Sequence, residues 1–383
     1  MATNIGKKLT GLGYRNLLKA IARQKTRAVV KPFQPAQKHK VAKSHITVYD
    51  YNAETITEVH PERIEDCFHY IDTPTVTWIN MDNLNPEKLA PLCERYQIHW
   101  LIQEDILTYG QRPKVEEMDG ILFCLLRMLF IDKETGVISE EQISIVLGEN
   151  FVLSFQEDAE KDVFDPIRKR LLKKDCRERQ RGAEFLFYTL IDIITDSYLA
   201  VIETVGDHIE QVEENILQRT SKHSFDKISQ LRKDIILLKR NIAPVRDITA
   251  ALIRSESPLL DKSTSKYFRD VYDHVVQAND LIDNYRDLIL GVQDMYVNNI
   301  NLRMNEVMKT LAIITAIMAP ATVIGGIFGM NFDVIPYKHH YMGFYVTIGV
   351  MVVIPIIMLY GFKVRGWFQK DITSLKNRRT DEL

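Results

Sequence analysis

Two stretches of this 383-residue chain carry no charged side chain: Thr310 to Phe332, 23 residues, and Tyr341 to Phe362, 22 residues. Each exceeds the roughly 20 residues with which an α-helix crosses a hydrocarbon core of about 30 Å. Hydrocarbon offers the backbone no hydrogen-bond partner, so segments of this kind are committed to helix. The connection 333–340 leaves room only for a tight turn on one face of the membrane. Chain averages hide all this, because 26% charged residues and a formal net charge of −2 describe an ordinary soluble protein.

The flanks set the orientation. Arg303 and Lys309 precede the first span, and Lys363, Arg365, Lys370, Lys376, Arg378 and Arg379 follow the second. The excess of cations predicts cytoplasmic termini and therefore a cytoplasmic soluble part. Tyr341, Phe344 and Tyr345 at one end, and Tyr360, Phe362 and Trp367 at the other, suit interfacial anchors.

Residues 1–44 hold eleven Lys and Arg and no acid. Leu12, Tyr14, Leu17, Leu18 and Ile21 make this segment weakly amphipathic. It reads as a solvated tail, a peripheral helix on anionic lipid, or an organelle transit peptide. Residues 45–160 alternate short β-rich and helical runs, as an α/β domain does. Thr47–Tyr49 and Thr55–Val59 flank a turn at Asn52-Ala53-Glu54, and Val76–Met81 and Ile121–Phe130 read as buried strands. A helix led by Pro86 runs through Tyr96, and Ile143–Leu147, Gly148 and Phe151–Phe155 form a hairpin.

Residues 161–262 are helical. Phe187, Leu190, Ile191, Ile194, Tyr198, Val201, Ile202, Val205, Ile209, Val212 and Ile216 recur at three- and four-residue steps. Ser224 is expected to cap a second, antiparallel helix to about Ser255, striped by Leu231, Ile235, Leu238, Ile242 and Val245 and kinked at Pro244. Acids flank the first helix and bases the second, the ordinary pattern of solvated faces. A third helix begins near Ser263 and meets no strong breaker before Pro320. Its cytoplasmic part, 263–309, is a stalk, since at about 1.5 Å per residue the whole is too long for a compact domain. Cys67, Cys93, Cys124 and Cys176 are scattered without metal-ligand spacing and read as free thiols.

Two spans cannot enclose an aqueous path, so a conducting protein of this kind must be an oligomer. Asn305, Met308, Ala312, Thr315, Ala319, Thr322 and Gly326 lie on one seam of the first span, small or polar in an Ile-rich helix. A pore lining and a close helix–helix contact both fit that stripe.

The first span ends in Gly325-Gly326-Ile327-Phe328-Gly329-Met330-Asn331-Phe332. At the end of the first of two C-terminal spans, Gly329-Met330-Asn331 resembles the signature of the CorA family of divalent-cation channels. Glu104-Asp105-Ile106-Leu107 leading into Gln111–Glu116, Tyr267–His274, and Asn305–Lys309 are similar to further segments of the same family. The resemblance runs from about residue 45 to the second span. It implies an α/β cytoplasmic domain with long helices and two transmembrane helices, assembled as a homopentameric funnel in the plasma (inner) membrane, the first span lining the pore.

The implied cargo is Mg²⁺, with Co²⁺ as alternative. Gly329, Met330 and Asn331 would form the selectivity mouth, where neutral Asn331 oxygens accept from the waters of a hydrated ion. Asn305, Thr315, Ala319, Thr322 and Gly326 would line the path, with Met308 and Leu311 as a hydrophobic constriction. The resemblance also implies regulatory Mg²⁺ between subunits, held by Asp105 of one and Asp270 of its neighbour with Glu104 and His274 nearby. Ala319 stands where better-known members carry a bulky Met. In the loop, Asp333 is kept while Tyr337 and Lys338 stand where acids often sit, so cations are concentrated less at the mouth.

The sequence shows no signature of an enzyme, and a membrane-anchored cytoplasmic sensor stands as an alternative reading. The chain has no Gly-x-x-x-x-Gly-Lys phosphate loop, no nucleophile paired with a base, no nucleic-acid signature and no carboxylate within either span. A membrane-tethered sensor would show apolar residues all round the first span. Within transport, a Zn²⁺ or Ni²⁺ preference is the rival, with His339 and His340 in the loop as its hint.

Overall fold

The computed structural model describes residues 44–132, 136–158, 162–218, 221–330 and 341–367. Asn52 Oδ1 accepts the backbone N–H groups of Glu54 and Thr55, each at 2.8 Å. This Asx turn folds β1 (His45–Tyr51) back onto β2 (Ile56–Val59), where the alternating residues placed them. Then follow β3 (Val76–Asp82), β4 (Lys114–Met118), β5 (Ile121–Ile131), β6 (Ile138–Leu147) and β7 (Phe151–Gln156). The sheet order is β2-β1-β3-β7-β6-β5-β4. β3 and β7 run parallel and the other neighbours antiparallel. Asp119 and Gly120, with φ of 52° and 77°, turn β4 into β5, the two-residue geometry whose twist matches the strands it joins.

One face of this sheet is apolar. Ile46, Val48, Ile79 and Met81 pack with Leu89 and Leu92 of α1 (Pro86–Arg95) and Ile102 and Ile106 of α2 (Trp100–Leu107). Asn85 caps α1 by accepting from the Glu87 N–H at 2.9 Å, with Pro86 at the first helical position where no donor is missed. Elsewhere the parallel pair carries a buried polar ladder. Trp78 Nε1 donates to Ser154 Oγ at 2.9 Å, Ser154 donates to Asn80 at 2.6 Å, and Gln156 donates to Asp82 at 2.9 Å. Arg168 of α3 (Asp165–Leu171) lies over the Trp78 ring at 5.6 Å and pairs with Asp162. The ladder ties β3 to β7 without an orphaned charge, and among the described residues Gln156 Oε1 is its one buried atom without a partner.

Three helices complete the described chain before the last span: α4 (Ala183–Gln218), α5 (Lys222–Arg254) and α6 (Ser265–Phe328). Every apolar stripe residue named for α4 and α5 is buried. α5 starts three residues earlier than expected. Ser221, not Ser224, stands at its cap, with Ser221 Oγ accepting from the Ser224 N–H at 3.3 Å. α5 runs on past Pro244, and α6 past Pro320. α6 has 64 residues, about 96 Å at 1.5 Å per residue. α7 (Gly343–Val364) is the second span.

Three of these helices are long and apolar enough to cross a membrane. In α4, 61% of the most apolar window is buried within the chain, against 6% for α6 and α7. α4 is therefore a core helix, and α6 and α7 carry the spans.

The chain divides into two compact units, one ending at Glu210 and resuming over Ser229–Leu288, the other formed by Gln211–Ile228 and the chain from Ile289. The division cuts through α4, α5 and α6. Cys67, Cys93 and Cys124 are buried free thiols and Cys176 is half-buried.

Glu141 in β6 is 2% exposed. Its Oε1 accepts the Glu157 and Asp158 N–H groups at 2.8 and 2.9 Å, while Oε2 has no partner. Burial pushes its carboxyl up to about 7. A carboxyl raised on folding binds its proton more tightly than the unfolded chain does. Stability is therefore full below about pH 4 and falls as pH rises toward 7. Glu141→Gln should exceed the parent in stability at pH 8 by on the order of 2 kcal/mol and match it at pH 4. Parallel pH profiles of thermal unfolding for the two proteins would show that the buried carboxyl ionises at no cost.

Candidate pore seam and cytoplasmic carboxylate cluster

Within the second unit α6 shows its own chain one face. Val292 and Ile313 are buried, Tyr296 meets the Phe225 ring at 5.7 Å, and Asn299 Nδ2 donates to the Ile216 carbonyl at 3.2 Å. The seam read from the sequence lies on the other side. Asn305, Met308, Ala312, Thr315, Ala319, Thr322 and Gly326 are all exposed, as is Leu311 beside it. Met308 and Leu311 are 57% and 63% exposed, far above what a packed core position shows. The same spacing continues toward the N-terminus through Gly291, Asp294, Asn298 and Asn301, also exposed. These four precede the start of the seam at Asn305 expected from the sequence, although the three- and four-residue steps run through them unbroken.

The seam hydroxyls are turned in one way. Thr315 Oγ1 donates to the Leu311 carbonyl at 2.9 Å and Thr322 Oγ1 to the Met318 carbonyl at 3.0 Å. Each proton is used inside the helix, so the oxygen lone pairs are left to accept from outside. Past the end of α6, the Gly329 N–H reaches the Gly325 carbonyl at 2.9 Å and the Met330 N–H the Ile327 carbonyl at 3.3 Å. Asn331 and Asp333 lie outside the described residues, as do His339 and His340.

The four residues expected to hold a regulatory ion fall on two elements. Glu104 and Asp105 sit near the end of α2, Glu104 exposed and Asp105 half-buried. Asp105 Oδ2 is held by Lys114 Nζ at 2.6 Å, and the same ammonium reaches Glu116 Oε1 at 2.9 Å. Burial lowers the Lys114 ammonium, but the hydrogen bonds to Asp105 and Glu116 outweigh it and hold the group above the usual lysine range. Asp105 thus already has a cation, supplied by the chain itself.

Asp270 and His274, four residues apart on α6, share a face. His274 Nδ1 approaches Asp196 Oδ1 of α4 to 3.3 Å, though not in hydrogen-bond alignment. Asp192, one turn before Asp196, completes this acidic corner. Burial, then repulsion by Asp196, pushes its carboxyl up to about 6, while a hydrogen bond from Tyr188 pulls the other way. Sequence reasoning missed Asp192 and Asp196. Their signal was a pair of acids four apart interrupting the most apolar stretch of α4.

Among the described residues, no three His, Cys, Asp or Glu side chains converge closely enough to hold a metal ion.

Comparison with known proteins bears on the family and the fold. Residues 74–364 match the family described as CorA-like Mg²⁺ transporter protein. The cobalt/magnesium transport protein CorA of Thermotoga maritima is 38% identical over 323 residues, 84% of this chain and 92% of the relative. The putative metal ion transporter YfjQ of Bacillus subtilis is 31% identical over 78% of this chain and 92% of its own. Among solved structures, the complete CorA magnesium transporter of Methanocaldococcus jannaschii superposes with a TM-score of 0.72 at 26% identity, covering 84% of this chain and 98% of that one. The apolar spans, the seam along the first of them and the match over residues 74–364 together place the chain in the CorA family.

Proposed function

We propose that the chain is one subunit of a homo-oligomeric channel, of five copies by the family resemblance, that admits Mg²⁺, and also Co²⁺, to the cytoplasm. One observation carries the reading. Eleven seam positions from Gly291 to Gly326, most of them small or polar, are all exposed, whereas the contacts that α6 makes with its own chain, at Val292, Tyr296, Asn299 and Ile313, fall off that seam. Gathering copies about an axis gives that seam a place, and α7 remains for the lipid side.

Transport then follows from the donor set. Mg²⁺ sheds its six waters reluctantly, so a path that hydrogen-bonds those waters avoids the dehydration cost. Neutral acceptors provide such a path, with Asn331 at the mouth and then Gly326, Thr322, Thr315 and Asn305. They hold the ion weakly enough to release it. Met308 and Leu311 close the path by dewetting when the copies draw together. The flux needs no nucleotide, since an inside-negative potential favours entry of a divalent ion by roughly 4–5 kcal/mol per 100 mV.

Gating is assigned to cytoplasmic Mg²⁺ shared between copies, with Asp105 of one facing Asp270 of the next and Glu104 and His274 in support. The Lys114 ion pair tunes that site. Magnesium must compete with a resident ammonium for the Asp105 carboxylate, which places the site's affinity below that of a free carboxylate pair. An intervening cation draws copies together, and its loss shifts the population toward open states.

Uptake into liposomes tests the path. Mg²⁺ and Co²⁺ should enter faster than Ni²⁺ and Zn²⁺, and Asn331→Ala should reduce Mg²⁺ entry about tenfold or more. Uptake indifferent to that substitution would remove Asn331 from the mouth.

Internal magnesium titrations of single-channel or macroscopic current test the gate. Asp270→Ala should need more Mg²⁺ for closure; complete suppression at the parent's concentration would count against the bridge. Lys114→Met should close at a magnesium concentration lower by several-fold, about 1 kcal/mol of relieved competition. An unchanged midpoint would mean that Asp105 binds no regulatory ion.

A further inference from the structure

A cavity of about 590 Å³ opens beside the start of α4, and neither the seam nor the regulatory carboxylates account for it. Phe185, Tyr188, Thr189 and Asp192 recur along α4 at three- and four-residue steps and present one helix face to it. The segment leaving α3 contributes Arg170, Lys173, Lys174 and Arg177. The charges do not cancel in place. Buried Glu178 is matched by Arg170, Oε1 to Nε at 2.9 Å. Lys173, Lys174 and Arg177 are exposed, and among the described residues none of the three is ion-paired.

A run of cations on a loop is ordinarily a solvated face. Here the run borders a cavity, and the α4 side of that cavity is an aromatic surface: Phe185 is buried and Tyr188 half-buried, their rings 5.4 Å apart. Small-molecule sites span about 300–1,000 Å³ and pair an apolar wall with a few placed charges. An orthophosphate would fill little of this space. A phosphate chain attached to a ring would use both the cations and the wall.

We propose that the cavity binds an organic polyphosphate of nucleotide size. Lys173, Lys174 and Arg177 take the phosphoryl oxygens, the guanidinium in two-pronged fashion, and the Phe185–Tyr188 surface receives the ring. Asp192 and Asp175 select the magnesium complex over the bare anion. A carboxylate repels an uncovered phosphate but accepts hydrogen bonds from the waters of a bound Mg²⁺. Only binding is assigned, because no general base stands over the cations. The proposal goes beyond the transport reading and stands without it.

Calorimetric titration of the full chain in detergent, at fixed free Mg²⁺, tests it with ATP, tripolyphosphate and orthophosphate as probes, with and without phosphatidylglycerol. ATP should bind saturably, tripolyphosphate about tenfold more weakly, and orthophosphate more weakly still. The doubly substituted Lys173→Glu/Lys174→Glu protein should lose about a hundredfold in ATP affinity at unchanged unfolding temperature, and Lys173→Arg/Lys174→Arg should retain it. Affinity should fall on adding salt. The proposal is overturned by an absence of saturable ATP binding, by equal affinity in the glutamate variant, or by displacement of ATP by phosphatidylglycerol alone.

Discussion

A helix of 64 residues cannot be covered on all sides by a chain of this size, and what is left bare decides the rest. α6 gives one face to its own chain through Val292, Tyr296, Asn299 and Ile313. Another face carries a run of small and polar side chains from Asn305 to Gly326, flanked by exposed Val307, Ile314 and Val323. In hydrocarbon a small or polar face is most stable against another small or polar surface or against water. The proposed assembly would supply both, close packing through Ala and Gly and an aqueous axis beside Thr and Asn.

Much of this was legible in the sequence because membrane helices follow a strict rule. Two uncharged runs of 23 and 22 residues fix two spans whatever else the chain does. The α4 and α5 stripes were equally readable, since every position picked by helical spacing is buried. What escaped had weaker local marks. α2 and β4 are short, eight and five residues, and too brief to show a period. At the start of α5 both Ser221 and Ser224 are capping residues, and only the hydrogen bond between them tells which precedes the first turn. Pro244 lies inside α5, which continues on both sides of it between buried Ile242 and Val245.

The carboxylates show a second limit. Asp105 was recognisable from its segment, but its lysine partner stands nine residues away on a different element, and no spacing rule links the end of a helix to the strand that follows it. Asp192 and Asp196 were hidden for the opposite reason: their helix is so apolar that the pair reads as noise on a core stripe. Burial sets Asp192 apart, because loss of water and the neighbouring Asp196 both raise its carboxyl above the usual range.

The chain sets out its oxygen acceptors in two ways. At Thr315 and Thr322 the hydroxyl protons are consumed by carbonyls within α6, so the outward atoms are neutral acceptors, and Asp294 is the one charged side chain of the extended seam. In the α/β domain the acceptors are charged and divided among elements, and Asp105 is already held by Lys114. On the proposed reading this partition has a use. Neutral oxygens would release an ion that a row of carboxylates would hold, and a site that must displace an ammonium would fill only as the ion's concentration rises.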